Sequence, residues 1–194
     1  TGALYSANEL RALGEVFRRH PQVCPVTDDM YEHILMQPED KFCDILNVCP
    51  DLYARTMVMN GVSKAYSMTG WRIGYCAGPE HVITAMENVQ SHSTSNPTSI
   101  AQAAAETALN GDQGCITPMV AAFRERHAYV VEALNKIPGL RCVPSGGAFY
   151  AFPDCREAIA ALHERGKLKD GSDLSLTGYL LDNGVAAVPG SAFG

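Results

Sequence analysis

Lys64 lies in the run Gly61-Val62-Ser63-Lys64-Ala65-Tyr66-Ser67-Met68-Thr69-Gly70-Trp71-Arg72-Ile73-Gly74, with a hydroxyl just before it and an arginine eight positions later. An amine condenses with an aldehyde. A hydroxyl and a guanidinium together hold a phosphate, the guanidinium through paired donors that match phosphate oxygens. These are the parts that bind an aldehyde cofactor carrying a phosphate, which is pyridoxal 5'-phosphate. An arbitrary lysine is a surface residue. Here an apolar strand leads into Gly61-Val62-Ser63, and Met68, Trp71 and Ile73 follow, so the loop is expected to be enclosed by core. Withdrawing a lysine from water favours the neutral amine that such a condensation needs.

Asp28 and Tyr31, in Thr27-Asp28-Asp29-Met30-Tyr31, are the next candidates. A carboxylate at the carboxyl end of a parallel strand sits where open α/β sheets place ligands. Set against a pyridine nitrogen, it keeps that nitrogen protonated so that the ring accepts electrons. Tyr31, one turn on, can donate to a phenolic oxygen on such a ring. Asp28 would serve equally well as a cap for the turn that follows. Asp29 is the competing carboxylate, and Asp28 is preferred because it stands three before Tyr31.

These residues need elements to position them. Ser6 and Glu9 form a capping-box pattern ahead of Leu10, Leu13, Val16 and Phe17, which predicts a helix over 7–19. Short apolar runs predict strands ending at Thr27-Asp28, over Thr56 to Met59 ending at Asn60-Gly61, and over Ile73 to Ala77. Helices are expected after Gly78-Pro79, from Ser95-Asn96-Pro97 to about Asn110, and from about Pro118 to Lys136. Beyond these, Leu140 to Val143 and Ala148 to Phe152 read as two strands joined by Pro144-Ser145-Gly146-Gly147. Helices over about 156–165 and 173–183 and a strand over Val185 to Val188 complete the pattern. Helices alternating with short apolar strands indicate a layered α/β fold with a smaller α+β unit after it.

The run from Gly61 to Gly74 resembles, at every defining position, the lysine-attachment signature of the class I and II aminotransferases, fold type I enzymes of pyridoxal phosphate. Met68 to Tyr75 is similar to the prokaryotic aspartate and broad-specificity subgroup. Asp-x-x-Tyr upstream of the lysine matches as well. The resemblance implies an α/β fragment: residues 1–114 as the second half of the large mixed-sheet domain and 115–194 as most of the small α+β C-terminal domain. It implies that Lys64 is catalytic and forms the Schiff base, and that Asp28, Tyr31, Ser63, Lys64 and Arg72 bind the cofactor. One departure stands out: many relatives carry a serine or threonine where this chain has Gly61, so one hydroxyl to the phosphate is expected to be missing. Ser93 to Gln102 resembles a stretch near the dimer interface, and Pro144 to Tyr150 resembles a hairpin near the substrate; each reads equally well as a helix cap or a hairpin turn.

The same resemblance places the glycine-rich phosphate turn, the aromatic that stacks on the ring and the asparagine of Asn-Pro-Thr-Gly before Thr1. It places the arginine for the substrate carboxylate beyond Gly194. The 194-residue chain alone is therefore expected to be inactive. The parent protein is expected to be a cytoplasmic homodimer that moves an amino group between an amino acid, aspartate among the candidates, and a 2-oxo acid. A β-lyase of the same fold and the aminotransferase-like sensing domain of a transcription regulator are the alternatives.

Composition narrows the field. Fifteen basic residues against 21 acidic ones give a net charge of -6, which argues against nucleic acid as the main partner. No apolar stretch is long enough to cross a bilayer, and no secretion signal is evident. The seven cysteines form no C-x-x-C pair, and the six histidines have no metal spacing, so reduced, largely buried thiols and no metal are expected.

Overall fold

The computed structural model describes residues 2–193; Thr1 of the expected Thr-Gly start lies outside them. Helix α1 spans Ala7–Arg19 and opens on the expected capping box: Ser6 Oγ accepts the Glu9 N–H at 3.3 Å, and the Ser6 N–H donates to Glu9 Oε2 at 2.7 Å. Strand β1 (Val26–Asp28) is followed by the short helix α2 (Ile45–Val48) and a 3-10 turn over Pro50–Arg55. Leu10 of α1 packs on Ile45, Cys49 and Leu52 in the N-terminal core. Each such side chain contributes roughly 1.5–3 kcal/mol of burial. Gly14 permits the approach, because a Cβ there would stand 2.4 Å from Cys49 Sγ. Arg18 fastens the same contact through paired bonds of 2.8 and 2.7 Å to Asp51.

Strands β2 (Met57–Gly61) and β3 (Gly74–Ala77) complete a three-stranded mixed sheet in the order β1-β2-β3. β1 runs parallel to β2, with Asp28 opposite Met59; β3 is antiparallel, with Gly61 opposite Gly74. The parallel pair needs a crossover, and α2 with its 3-10 turn supplies one. Helices α3 (Glu80–Ser91), α4 (Ser99–Asn110, capped by Thr98) and α5 (Ile116–Asn135) follow. The chain divides into two compact units inside α5, one from Leu4 to Ala121 and the other from Ala122 onward together with the first residues.

The second unit holds α6 (Arg156–Glu164), α7 (Asp173–Asp182) and a 3-10 turn over Gly190–Phe193. Its expected hairpin does not form a ladder. Arg141 and Asp154 make a single antiparallel bridge in place of two strands over 140–143 and 148–152. The backbone groups are satisfied elsewhere. The Cys142 N–H and C=O both bond the Asn135 side chain, the Ser145 N–H donates to His127 Nε2, and the Gly146 and Gly147 N–H groups donate to the Gly2 carbonyl. Ala148 adds a left-handed kink at φ 57°. Residues 185–188 are not a strand either: the Val185 N–H closes α7 by donating to the Leu180 carbonyl, and Val188 is exposed. All seven cysteines are free thiols, but only Cys49 and Cys142 are buried, while Cys24 and Cys115 are exposed.

Candidate active site

The two ladders bring the carboxyl ends of β1 and β2 and the amino end of β3 to one edge of the sheet. All five residues singled out by the sequence lie on chain that leaves or enters this edge.

Past Gly61 the chain coils into a turn in which the Tyr66 N–H donates to the Val62 carbonyl and the Ser67 N–H to that of Lys64. Val62 and Ala65 are buried, which leaves Ser63 and Lys64 half-buried on the other side. The loop is thus enclosed on its inner side only. Trp71 and Arg72 are exposed, contrary to the expectation of a loop enclosed by core, because the 3-10 turn over Thr69–Trp71 carries them outward.

Tyr31 sits on the turn that leaves β1. The Asp29 N–H prolongs the ladder by donating to the Met59 carbonyl at 2.9 Å, the Ile34 N–H donates to the Tyr31 carbonyl, and Ile34 is wholly buried. So anchored, the Tyr31 ring lies with its centroid 5.7 Å from Lys64 Nζ, within reach of a cation–π contact. The amine and the phenol are side by side.

The neighbouring carboxylates have separate positions. Asp28 is exposed and accepts the Met30 N–H at 3.4 Å, which is the turn cap that the sequence left open as an alternative. Asp29 is buried, accepts the Thr27 hydroxyl at 3.2 Å, and has its carboxyl pushed up to about 6, by burial first and then by the charges of Asp44, Glu32 and Asp28, against the lowering effect of Thr27. Asp28 is the one open to a ligand.

Arg72 adopts φ 51°, a left-handed conformation that costs a non-glycine residue about 1–3 kcal/mol. Its Nη1 donates to the Thr69 carbonyl at 2.8 Å. Gly61 also has a reason to lack a side chain. A Cβ there would stand 3.0 Å from Met30 Cε and 3.1 Å from Gly74 Cα, so the close β2–β3 contact leaves little room for a side chain.

Two neighbours were not singled out by the sequence. The Asn60 amide donates to Glu32 Oε1 at 2.7 Å across 28 residues of chain, and Asn60 Oδ1 accepts the Gly61 N–H at 2.7 Å. Only their adjacency to Tyr31 and Gly61 could have drawn notice. An amine beside a phenol, open carboxylate, hydroxyl and guanidinium at one strand edge fit a small aromatic aldehyde that carries a phosphate. Among the described residues no cluster of His, Cys, Asp and Glu could hold a metal ion, and no helix is long and apolar enough to cross a membrane. An apolar groove of about 1340 Å³ in the C-terminal unit, lined among others by Leu134, Ile159, Leu176 and Phe193, contains none of the five residues.

Across residues 1–194 the sequence matches the family described as aminotransferase class I and II. The chain belongs to that family. It is 60% identical to the aspartate/prephenate aminotransferase of Nitrosomonas europaea and 48% identical to a probable aspartate/prephenate aminotransferase of Rhizobium leguminosarum, over all of this chain and 49% and 48% of theirs. Among solved structures, the aspartate aminotransferase of Rhizobium meliloti matches with a TM-score of 0.86 at 46% identity, covering 100% of this chain and 48% of that one. The aromatic aminotransferase of Pyrococcus horikoshii matches at 0.83 and 29%, covering 100% and 49%. The fold is therefore that of fold type I aminotransferases. The chain spans about half the length of the curated relatives it matches.

Proposed function

We propose that this chain is a fragment, about half, of a pyridoxal-phosphate-dependent aminotransferase, with residues 1–114 part of the large cofactor-binding domain and 115–194 part of the small one. The observation that carries the reading is Lys64 Nζ lying 5.7 Å from the Tyr31 ring at the end of β2, in a chain of the aminotransferase family. The cofactor supplies an aldehyde for an amine and a ring that draws electrons from the substrate Cα. Asp28, open at the end of β1, holds a proton on the ring nitrogen. The Tyr31 hydroxyl donates to the ring oxygen. Ser63 and Arg72 would hold the phosphate, the guanidinium at present donating to the Thr69 carbonyl. With substrate in place, Lys64 Nζ would take and return a proton at the substrate Cα.

Aspartate and prephenate, the two compounds in the relatives' names, are the donor and acceptor to try first. The same reading makes the parent a cytoplasmic homodimer. Val89 and Ile100, 71% and 72% exposed on the N-terminal unit, are apolar surface for a second subunit or the remaining half to cover. The test is to mix the intact protein and cofactor with aspartate alone, then add the oxo acid. Aminotransfer predicts a stoichiometric shift of the cofactor to its amine form, reversed by the oxo acid. Ammonia release without that shift would mark a lyase and overturn the reading.

A further inference from the structure

We propose that Glu32, acting through Asn60, is a positioning residue that holds Tyr31 against Lys64. The inference rests on the reading of Lys64 as the amine that takes the cofactor aldehyde.

The ladders stop short of the residues that matter. β1 ends at Asp28 and β2 at Gly61, so neither fixes the Tyr31 ring or the Lys64 side chain. What spans the gap is a line of side chains. Glu32 follows Tyr31 directly, and its N–H closes the turn on the Asp29 carbonyl at 2.9 Å. Its Oε1 accepts the Asn60 amide at 2.7 Å, and Asn60 Oδ1 accepts the N–H of Gly61, where the turn to Ser63 and Lys64 begins. Only the amide nitrogen of Asn60 can donate to Glu32 and only its oxygen can accept from Gly61, so both ends of the group are committed. A continuous hydrogen-bonded path therefore runs from the residue after Tyr31 to the start of the Lys64 loop.

A second tie meets the loop beyond the lysine. His33 Nε2 lies 3.5 Å from the same Glu32 oxygen, and the His33 ring packs edge-on against Tyr66 with centroids 6.4 Å apart. The Tyr66 hydroxyl donates in turn to Gln113 Oε1 at 2.7 Å. The turn that bears Tyr31 is thus tied to the loop on both sides of Lys64. The Glu32 side chain is 31% exposed, which leaves its bond to Asn60 partly shielded from competing water. Its charge acts on the same surroundings: after burial, Glu32 contributes to raising the Tyr66 and Tyr75 phenols.

The experiment is a cofactor titration of the intact protein, with borohydride trapping at Lys64 read by peptide mass. Amide hydrogen exchange over 61–66 in the cofactor-free protein gives a second readout. Glu32→Ala and Asn60→Ala each raise the half-saturating cofactor concentration about tenfold and speed exchange at Gly61. Asn60→Asp, which keeps the Gly61 acceptor but sets a carboxylate against Glu32 in place of the donor, is at least as impaired as Glu32→Ala. Glu32→Gln still accepts from Asn60 and stays within about twofold of the parent. The Glu32→Ala/Asn60→Ala double variant is no worse than either single one, because both remove one linkage. Trapping by Glu32→Ala at the parent concentration, with only a lower melting temperature, overturns the proposal, and so does a Glu32→Gln variant as impaired as Glu32→Ala. If the parent itself is not trapped at Lys64, the functional reading fails and this inference fails with it.

Discussion

Lys64 is the residue on which the proposed chemistry turns, and its neighbours distinguish it from a lysine on an open surface. Buried Val62 and Ala65 hold the turn, and the Tyr31 ring lies alongside the amine. Lys64→Ala should lower amino-group transfer by about 10²–10⁴-fold while leaving the melting temperature of the intact protein unchanged, which steady-state rates and thermal unfolding together check. Gly61 makes the opposite point, because there the absence of a side chain is what matters. Gly61→Ser adds a hydroxyl beside the lysine loop but brings its Cβ to 3.1 Å from Gly74 Cα on the facing strand. The backbone of β3 must give way, so the variant should lose about 1–3 kcal/mol in urea unfolding rather than gain cofactor affinity.

At the scale of elements, two buried groups give the two units opposite responses to pH. Burial holds the Asp29 carboxyl at about 6, above its ordinary 3.8, so the folded chain keeps a proton that the unfolded chain releases. Between those values stability falls as pH rises, and the cost is complete above about 6. Asp29→Asn, which still accepts from Thr27, should therefore stabilise the N-terminal unit by on the order of 2 kcal/mol at neutral pH and flatten that slope. His127 has the reverse sign. Burial lowers it from its ordinary 6.5, and its neutral Nε2 accepts the Ser145 N–H at 3.0 Å. Its contribution is complete above the ordinary value and is lost as pH falls below it, a dependence that His127→Gln should remove in pH-resolved thermal unfolding.

What the sequence disclosed about these elements follows the range of the forces involved. Helix α1 matches its expected bounds because its capping box and apolar stripe are local. The hairpin over 140–152 was misread because alternation along a strand does not say where the backbone groups go. Here Asn135, His127 and Gly2 take them. The candidate site divides the same way. Lys64, Tyr31, Asp28, Ser63 and Arg72 are candidates by type and spacing, whereas the Glu32–Asn60 bond joins segments 28 residues apart and leaves no pattern in either.

For the whole molecule, the decisive fact is extent. The chain spans about half of the aminotransferases it matches, and its C-terminal unit carries an open apolar groove. The 194-residue chain alone, given cofactor and aspartate, is accordingly expected to show no turnover under conditions in which the intact protein does. The measurement that bears most directly on the central claim is the absorption spectrum of the intact protein with pyridoxal 5'-phosphate, followed by borohydride reduction and peptide mapping. A visible band that disappears on reduction, with the cofactor's mass added at Lys64, is the predicted result. No such band, or the mass on another lysine, would contradict the assignment of this strand edge as the active site.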